Sequence, residues 1–486
     1  MRIILSLVIL YGLATAASAA DLPRSQPEEE GVPSAAIQSF LEAANQKIDS
    51  LHSFVLLRHG KCIAEAYWTP YDGQTRHQLY SLSKSFTSTA VGLAISEGKL
   101  SLDDPVLKFF PDEAPANPSA NLKSMRVSDL LRMSTGHQTE PGRTSGESWA
   151  KTFLAHPVPF KPGTHFVYNT SATYMLSAIV QKATGQTLLD YLKLRLFDPL
   201  GIENPTWETS PQGVSTGGYG LSIRTKDIAS FGQLYLQKGK WNGTQLIPAA
   251  WVEKATSLQT SNGSNPASDW DQGYGYQFWR CRHGAYRGDG AFGQYCLVLP
   301  EQDAVIAITS GLNDMQAVLN LVWDKLLPAF SEKPLVLDQK QSHLLEKTCK
   351  SLMIRIPETK GAAVTGSDRK FVFTNPPFKL ESLSLQTAKL GRKLIVQFDG
   401  KEQQISCGNT SWLNGEAAWA MFPTQPIAAC GNWTSADTFT AKICFRETPF
   451  ITTLQLKFVG DELQLKSQMN VGFGPTKEQI IVGKAR

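Results

Sequence analysis

Two blocks of strand-forming sequence enclose a long helical stretch, and this arrangement limits the folds open to the chain. Phe54-Val-Leu-Leu-Arg58 and Cys62-Ile-Ala-Glu-Ala-Tyr67 flank His59-Gly60-Lys61 and read as a β-hairpin. Strand character returns only at Tyr274–Trp279, Phe292–Leu299 and Ala304–Thr309, the last two separated by Pro300-Glu-Gln-Asp303. Between them, residues 100 to 250 read mainly as helices and loops. Val127–Met133, Tyr174–Ala183 before Gly185, and Ile228–Gln237 before Gly239 are the clearest helices. Strands at both ends of a helical middle imply an α/β sheet domain carrying a helical insertion.

After Ser331 the texture changes. Leu390–Asp399, Thr440–Phe445, Ile451–Phe458 and Leu463–Lys466 alternate with period 2, and Gly460-Asp461 marks a hairpin turn. The chain of 486 residues thus divides into a catalytic-sized unit over 20–331 and a β-rich unit over 332–486. The first 19 residues read as a removable leader. Arg2 precedes the apolar run Ile3–Ala14, and Ala17-Ser18-Ala19 fits small-x-small cleavage. That run falls short of the ~20 residues a spanning helix needs. A periplasmic or secreted protein with no membrane span is expected.

Export places the seven cysteines in an oxidising space, where Cys281 and Cys296 are candidates to pair. Lys+Arg of 47 against Asp+Glu of 43 gives +4, too weak to call for a nucleic-acid partner. No histidine or cysteine spacing suggests a metal, and no phosphate or dinucleotide loop suggests a cofactor. Gly288-Asp-Gly290 and Gly217-Gly218 read as tight turns near a cleft.

The chemistry lies at Tyr80-Ser81-Leu82-Ser83-Lys84, where strand gives way to a helix patterned by Phe86, Ala90, Leu93 and Ala94. Serine and lysine at i, i+3 share a helix face, so the amine reaches the hydroxyl. Serine needs such a neighbour to take its proton, and lysine serves only if its pKa falls toward neutrality. Ser-x-x-Lys recurs at Ser96–Lys99, Ser148–Lys151 and Ser367–Lys370, so the tetrapeptide alone says little. Only the first match opens an amphipathic helix after a β-hairpin.

In this context the chain resembles the serine β-lactamase and penicillin-binding-protein superfamily, in its class C, esterase and D-aminopeptidase branch. The similar blocks are Arg58-His-Gly-Lys61, Ser81-Leu-Ser-Lys84, Leu130-Leu-Arg-Met-Ser-Thr-Gly136, Phe160-Lys-Pro-Gly-Thr164 through Tyr168, Phe197-Asp-Pro-Leu-Gly201, Gly217-Gly-Tyr-Gly-Leu221 and Gly290-Ala-Phe-Gly-Gln-Tyr295. The resemblance implies an antiparallel sheet flanked by helices, and acyl transfer through a serine ester. Ser81 would be the nucleophile, Lys84 its proton partner and Tyr168 the second-motif tyrosine. The Ser81 N–H and a strand amide near Gly288–Gly290 would form the oxyanion hole.

Two departures shape the expectation. The family's Tyr-x-Asn is here Tyr168-Asn169-Thr170, so Asn169, Thr170 or Ser171 must supply the amide's contacts. The third motif, Lys-Thr-Gly or His-x-Gly, is missing, and Arg287 is the first substitute cation, with His283 second. Candidate substrate contacts are therefore Asn169, Arg287, Gly288 and Gly290. The expected protein is an exported serine hydrolase of a small ester, amide or peptide-like substrate. The alternatives are a β-lactamase or D-Ala-type peptidase, and a catalytically silent protein that binds cell wall or a partner.

Overall fold

The structure is a computed structural model describing residues 22–486 apart from 49, 144–145, 363–365, 375–378, 421, 475 and 477. The expected leader, residues 1–19, lies outside the described residues.

Strand Leu51–Arg58 is buried along its whole length, and its successive side chains serve two different cores. Val55 and Leu57 pack with Phe86 and Ala90 of helix Ser83–Ser96 and Ile228 of helix Thr225–Leu236. Phe54 and Leu56 pack with Ile37, Phe40 and Leu41 of helix Ser34–Lys47. Burial on both faces is why Phe54-Val-Leu-Leu57 is uninterruptedly apolar rather than alternating. The strand turns back into Lys61–Tyr67 through His59 (φ 49°) and Gly60 (φ 75°), the paired left-handed residues that match hairpin twist.

The sheet runs Lys61–Tyr67, Leu51–Arg58, Ala304–Ser310, Gln294–Leu299, Tyr286–Gly290, Trp279–Arg280, antiparallel at every step. The first and last strand blocks therefore meet in one sheet, with the helical insertion between them. This is the expected α/β class. Several details depart from expectation. Only Trp279–Arg280 of the 274–279 run becomes strand, because Gly273 (φ 102°) and Gln277 (φ 65°) break the extended chain. Gly288-Asp-Gly290 is not a turn but the end of strand Tyr286–Gly290.

Helix Ser83–Ser96 is not amphipathic either; it is buried from Ser83 to Ala94. Its hydroxyls meet protein rather than water: Ser85 donates to the Gln277 carbonyl, Thr87 to that of Gly217, and Thr89 pairs with the Tyr235 hydroxyl. Cys281 and Cys296 lie in the separate cores on opposite faces of the sheet, and both are free thiols.

Beyond the sheet domain, helix Gln339–Ser351 packs against Ser34–Lys47, so the tail opens with a helix rather than with strands. Ten strands between Phe371 and Ala485 then form one sheet, closed into a barrel where Gly408 bridges Cys430. Leu454, Leu456, Leu463 and Leu465 fill its interior, which accounts for the period-2 signal in the sequence. Backbone bonds tie the two units: Gln78 N–H donates to the Glu447 carbonyl at 2.8 Å. Among the described residues no helix is long and apolar enough to cross a membrane.

Candidate active site

Tyr80, at φ 48°, turns the chain sharply between strand and helix, and Ser81 follows in the short turn Tyr80–Leu82. Helix Ser83–Ser96 then carries Lys84 back to the serine: its Nζ lies 2.9 Å from Ser81 Oγ. The same amine donates to the Gly218 carbonyl at 2.8 Å and approaches Thr170 Oγ1 at 3.3 Å. Lys84 is 1% exposed, and among the described residues no carboxylate forms an ion pair with it. Burial disfavours the ammonium and brings its pKa down from 10.5 to about 7. Of the ionic groups around it, Glu140 and Asp289 oppose that fall and Arg143 assists it.

Tyr168 sits at the mouth of the helix Thr170–Thr184, its side chain hydrogen-bonded to Ser81. Its ring stacks on Trp279 at 5.3 Å and lies 4.8 Å from Lys84 Nζ. Burial and the Asp289 carboxylate push its phenol well above the ordinary range. The hydroxyl thus keeps its proton at neutral pH and acts as a donor.

Of the three residues after Tyr168 weighed for the amide's contacts, Thr170 is the one at Lys84. Asn169 instead caps the helix, its Oδ1 accepting from the Ala172 N–H at 2.9 Å. Its Nδ2 has no partner among the described residues. Ser171 turns away to the Pro141 carbonyl at 2.8 Å, and Arg143 donates to it at 2.7 Å. The signal for Thr170 was its position, two residues past the tyrosine.

Strand Tyr286–Gly290 forms the other wall. Its partner Trp279–Arg280 reaches only Tyr286 and Arg287, so residues 288–290 are paired on one side alone, to Gln294–Leu299. The unpaired edge faces the serine turn. A Cβ on Gly290 would sit 2.0 Å from the Leu79 carbonyl, and one on Gly288 2.5 Å from Leu82 Cδ1 and Ser85 Oγ. Both glycines therefore serve close backbone approach to the serine segment.

Arg287 departs most from expectation. It is fully buried, and its guanidinium holds Asp289 through Nε at 2.9 Å and a terminal nitrogen at 2.8 Å. The other terminal nitrogen donates to the Asp269 carbonyl at 2.7 Å, and the group lies 4.4 Å over Trp270. Arg287 is thus not a cation open to the cleft; it serves the cleft by fixing Asp289. Burial raises the pKa of that carboxyl group, opposed by Arg287 and a hydrogen bond from Trp279. His283, the second substitute, lies in the turn that leads into this strand, its ring 5.1 Å from Trp323. Sequence reading missed Asp289, whose only signal was its place between two glycines.

A serine hydroxyl, a lysine amine of depressed pKa and a protonated tyrosine thus converge at one place. The family model for Beta-lactamase matches residues 28–321. The chain belongs to the β-lactamase family.

Among curated relatives, this β-lactamase-family chain is 26% identical over 285 residues to a 6-aminohexanoate-dimer hydrolase of Paenarthrobacter ureafaciens, covering 54% of this chain and 73% of that protein. It is 30% identical over 155 residues to a D-aminopeptidase of Brucella anthropi, covering 31% of this chain and only 30% of that protein. The solved structure of SurE with D-Leu superposes over 93% of this chain and 99% of its own, with a TM-score of 0.50 at 17% identity. That likeness is one of fold, and it extends through the barrel.

Proposed function

We propose that the protein is an exported hydrolase that cleaves an ester or amide bond through an acyl-Ser81 intermediate. The observation that carries this reading is the 2.9 Å contact from Ser81 Oγ to Lys84 Nζ, an amine whose pKa burial brings to about 7. Neutral Lys84 takes the proton as Ser81 Oγ bonds to the substrate carbonyl carbon. The carbonyl electrons move onto oxygen, beside the Ser81 amide and the unpaired edge of residues 288–290. Collapse breaks the bond to the alcohol or amine, which leaves with a proton returned from Lys84 by way of Tyr168. Water then repeats the sequence on the acyl ester and frees Ser81.

Ester or amide substrates are favoured over β-lactams because Asp289, a carboxyl group, stands in the strand where the family's Lys-Thr-Gly or His-x-Gly cation is expected. A substrate carboxylate would meet like charge there whenever Asp289 is ionised. The curated relatives described above are a 6-aminohexanoate-dimer hydrolase and a D-aminopeptidase, which supports the amide side of this reading. The apolar run Ile3–Ala14 and the small residues after it support export.

The test is incubation with a fluorophosphonate followed by peptide mass spectrometry, then turnover of short acyl esters, D-amino amides and nitrocefin. A Ser81 adduct and turnover of esters or amides above nitrocefin are expected. A clean protein with no adduct at Ser81 would rule the enzyme out in favour of the binding-protein alternative.

A further inference from the structure

Tyr80 immediately precedes Ser81 yet belongs to the core of the barrel. Its ring lies edge-on to Phe292 at 5.5 Å and to Phe450 at 6.3 Å, and 5.5 Å from Phe473. A cavity of about 710 Å³ borders that ring. Its remaining walls come from the barrel, chiefly Trp419, Phe422, Phe450, Met469 and Phe473. Met469 and Trp419 occupy the inward-facing positions of their strands, so the cavity is the barrel's mouth, with Tyr80 of the serine segment in its wall.

Three observations define what would fit. The volume lies within the range of roughly 300–1,000 Å³ typical of small-molecule sites, and is far more than one side chain needs. No charged side chain lines it among the described residues, and its walls are mainly aromatic and apolar. Thr452 lines it as well; it is 1% exposed, and its Oγ1 has no hydrogen-bond partner among the described residues. A buried hydroxyl without a hydrogen-bond partner is costly, so a ligand atom that meets it gains affinity. At the rim, Phe473 stands 75% exposed, an apolar surface that invites cover.

We propose that this cavity is the subsite for an apolar acyl or aryl group of the substrate. The assignment rests on the reading of Ser81 as nucleophile. Chain continuity argues for one substrate rather than an unrelated ligand: the wall residue and the nucleophile are consecutive. The substrate then spans the two units, its carbonyl at Ser81 and its apolar end in the barrel. A barrel wide enough to hold one small ligand is the geometry this requires.

The test uses the full mature chain and two readouts. Turnover is compared for p-nitrophenyl acetate and p-nitrophenyl decanoate, and binding of decanamide and acetamide is measured by calorimetry on Ser81→Ala protein. Wild type should favour the decanoate in kcat/KM, and Met469→Trp, which fills the mouth, should cut the decanoate-to-acetate ratio at least tenfold. Phe473→Ala, at an exposed position that does not threaten folding, should weaken decanamide binding severalfold. An unchanged ratio in Met469→Trp, or decanamide bound no more tightly than acetamide, would overturn the subsite. If wild type turns over neither ester while decanamide still binds, the nucleophile reading fails and takes the substrate role with it. The two failures are therefore distinguishable.

Discussion

Lys84 Nζ lies 2.9 Å from Ser81 Oγ and 2.8 Å from the Gly218 carbonyl, so the amine is held between the hydroxyl it would activate and a backbone oxygen. A Cβ on Gly218 would stand 2.5 Å from Thr170 Cγ2 and 3.5 Å from that amine. Only glycine lets this backbone approach so closely. The same burial that lowers its pKa makes Lys84 a burden on the fold, since no carboxylate forms an ion pair with an ammonium there among the described residues. Two opposite outcomes for one residue follow.

Lys84→Met is expected to abolish ester turnover, by about 10²–10⁴-fold as for loss of a general base. Thermal denaturation at pH 7 should show a Tm at or above that of the wild type, because a buried amine becomes an apolar side chain. Retained turnover would assign the base elsewhere.

The pH dependence follows from the lowered pKa of Lys84, about 7. Below it the amine is protonated and cannot accept from Ser81; above it the neutral base is available. Ester kcat/KM should therefore rise with pH through a midpoint near 7. Tyr168, pushed upward, should contribute no acid limb in that window. A rate flat from pH 5 to 9 would contradict the lysine base.

Arg287 and Asp289 are 0% and 6% exposed at their side chains, and among the described residues only Arg287 forms an ion pair with the carboxylate. Truncation by Arg287→Ala should cost about 3–5 kcal/mol in chemical denaturation, because it leaves a buried charge unpaired. Arg287→Lys should rescue little of it, since an ammonium lacks the planar fork that spans Asp289 and the Asp269 carbonyl.

Gly290→Ala should lower activity at least a hundredfold, since its methyl would meet the Leu79 carbonyl at 2.0 Å and displace the serine turn. Gly146→Ala, where a Cβ meets nothing within 4 Å, should be nearly silent in the same ester assay.

His52 and His77 are buried at the junction of the two units, joined at 3.1 Å, with His52 stacked on Tyr71 at 3.7 Å. Burial holds both neutral, bringing His77 from 6.5 to about 4 and His52 well below its ordinary value. A folded-state pKa below the unfolded one means that stability is complete above pH 6.5 and declines as pH falls toward 4. Tm measured between pH 7 and 4.5 should fall more steeply in wild type than in His77→Asn.

Much of this protein could be read from residue patterns because the physics involved is local. The period-2 run at Ile451–Phe458 places Leu454 and Leu456 inside a sheet whatever that sheet becomes, and Ser81 to Lys84 share a helix face by spacing alone. The helix carrying Lys84 has an amphipathic pattern yet is buried all round, because its serines and threonines bond to neighbouring chain, which no periodicity reveals. Likewise Arg287 presented only as a cation. Its carboxylate partner two residues on, and the tryptophans around it, exist as a site only once strands and loops are assembled.

Strand blocks, helical insertion, β-rich tail and the serine–lysine pair are legible in residue patterns, since each depends on neighbours a few residues apart. Which residue stands beside the lysine, Asp289 in place of a third-motif cation, and the barrel mouth beside Tyr80 emerge only once the chain is folded. Those features join segments such as Lys84 with Gly218, and Tyr80 with Phe473. Burial and long-range packing set them, and these depend on the whole chain folded together.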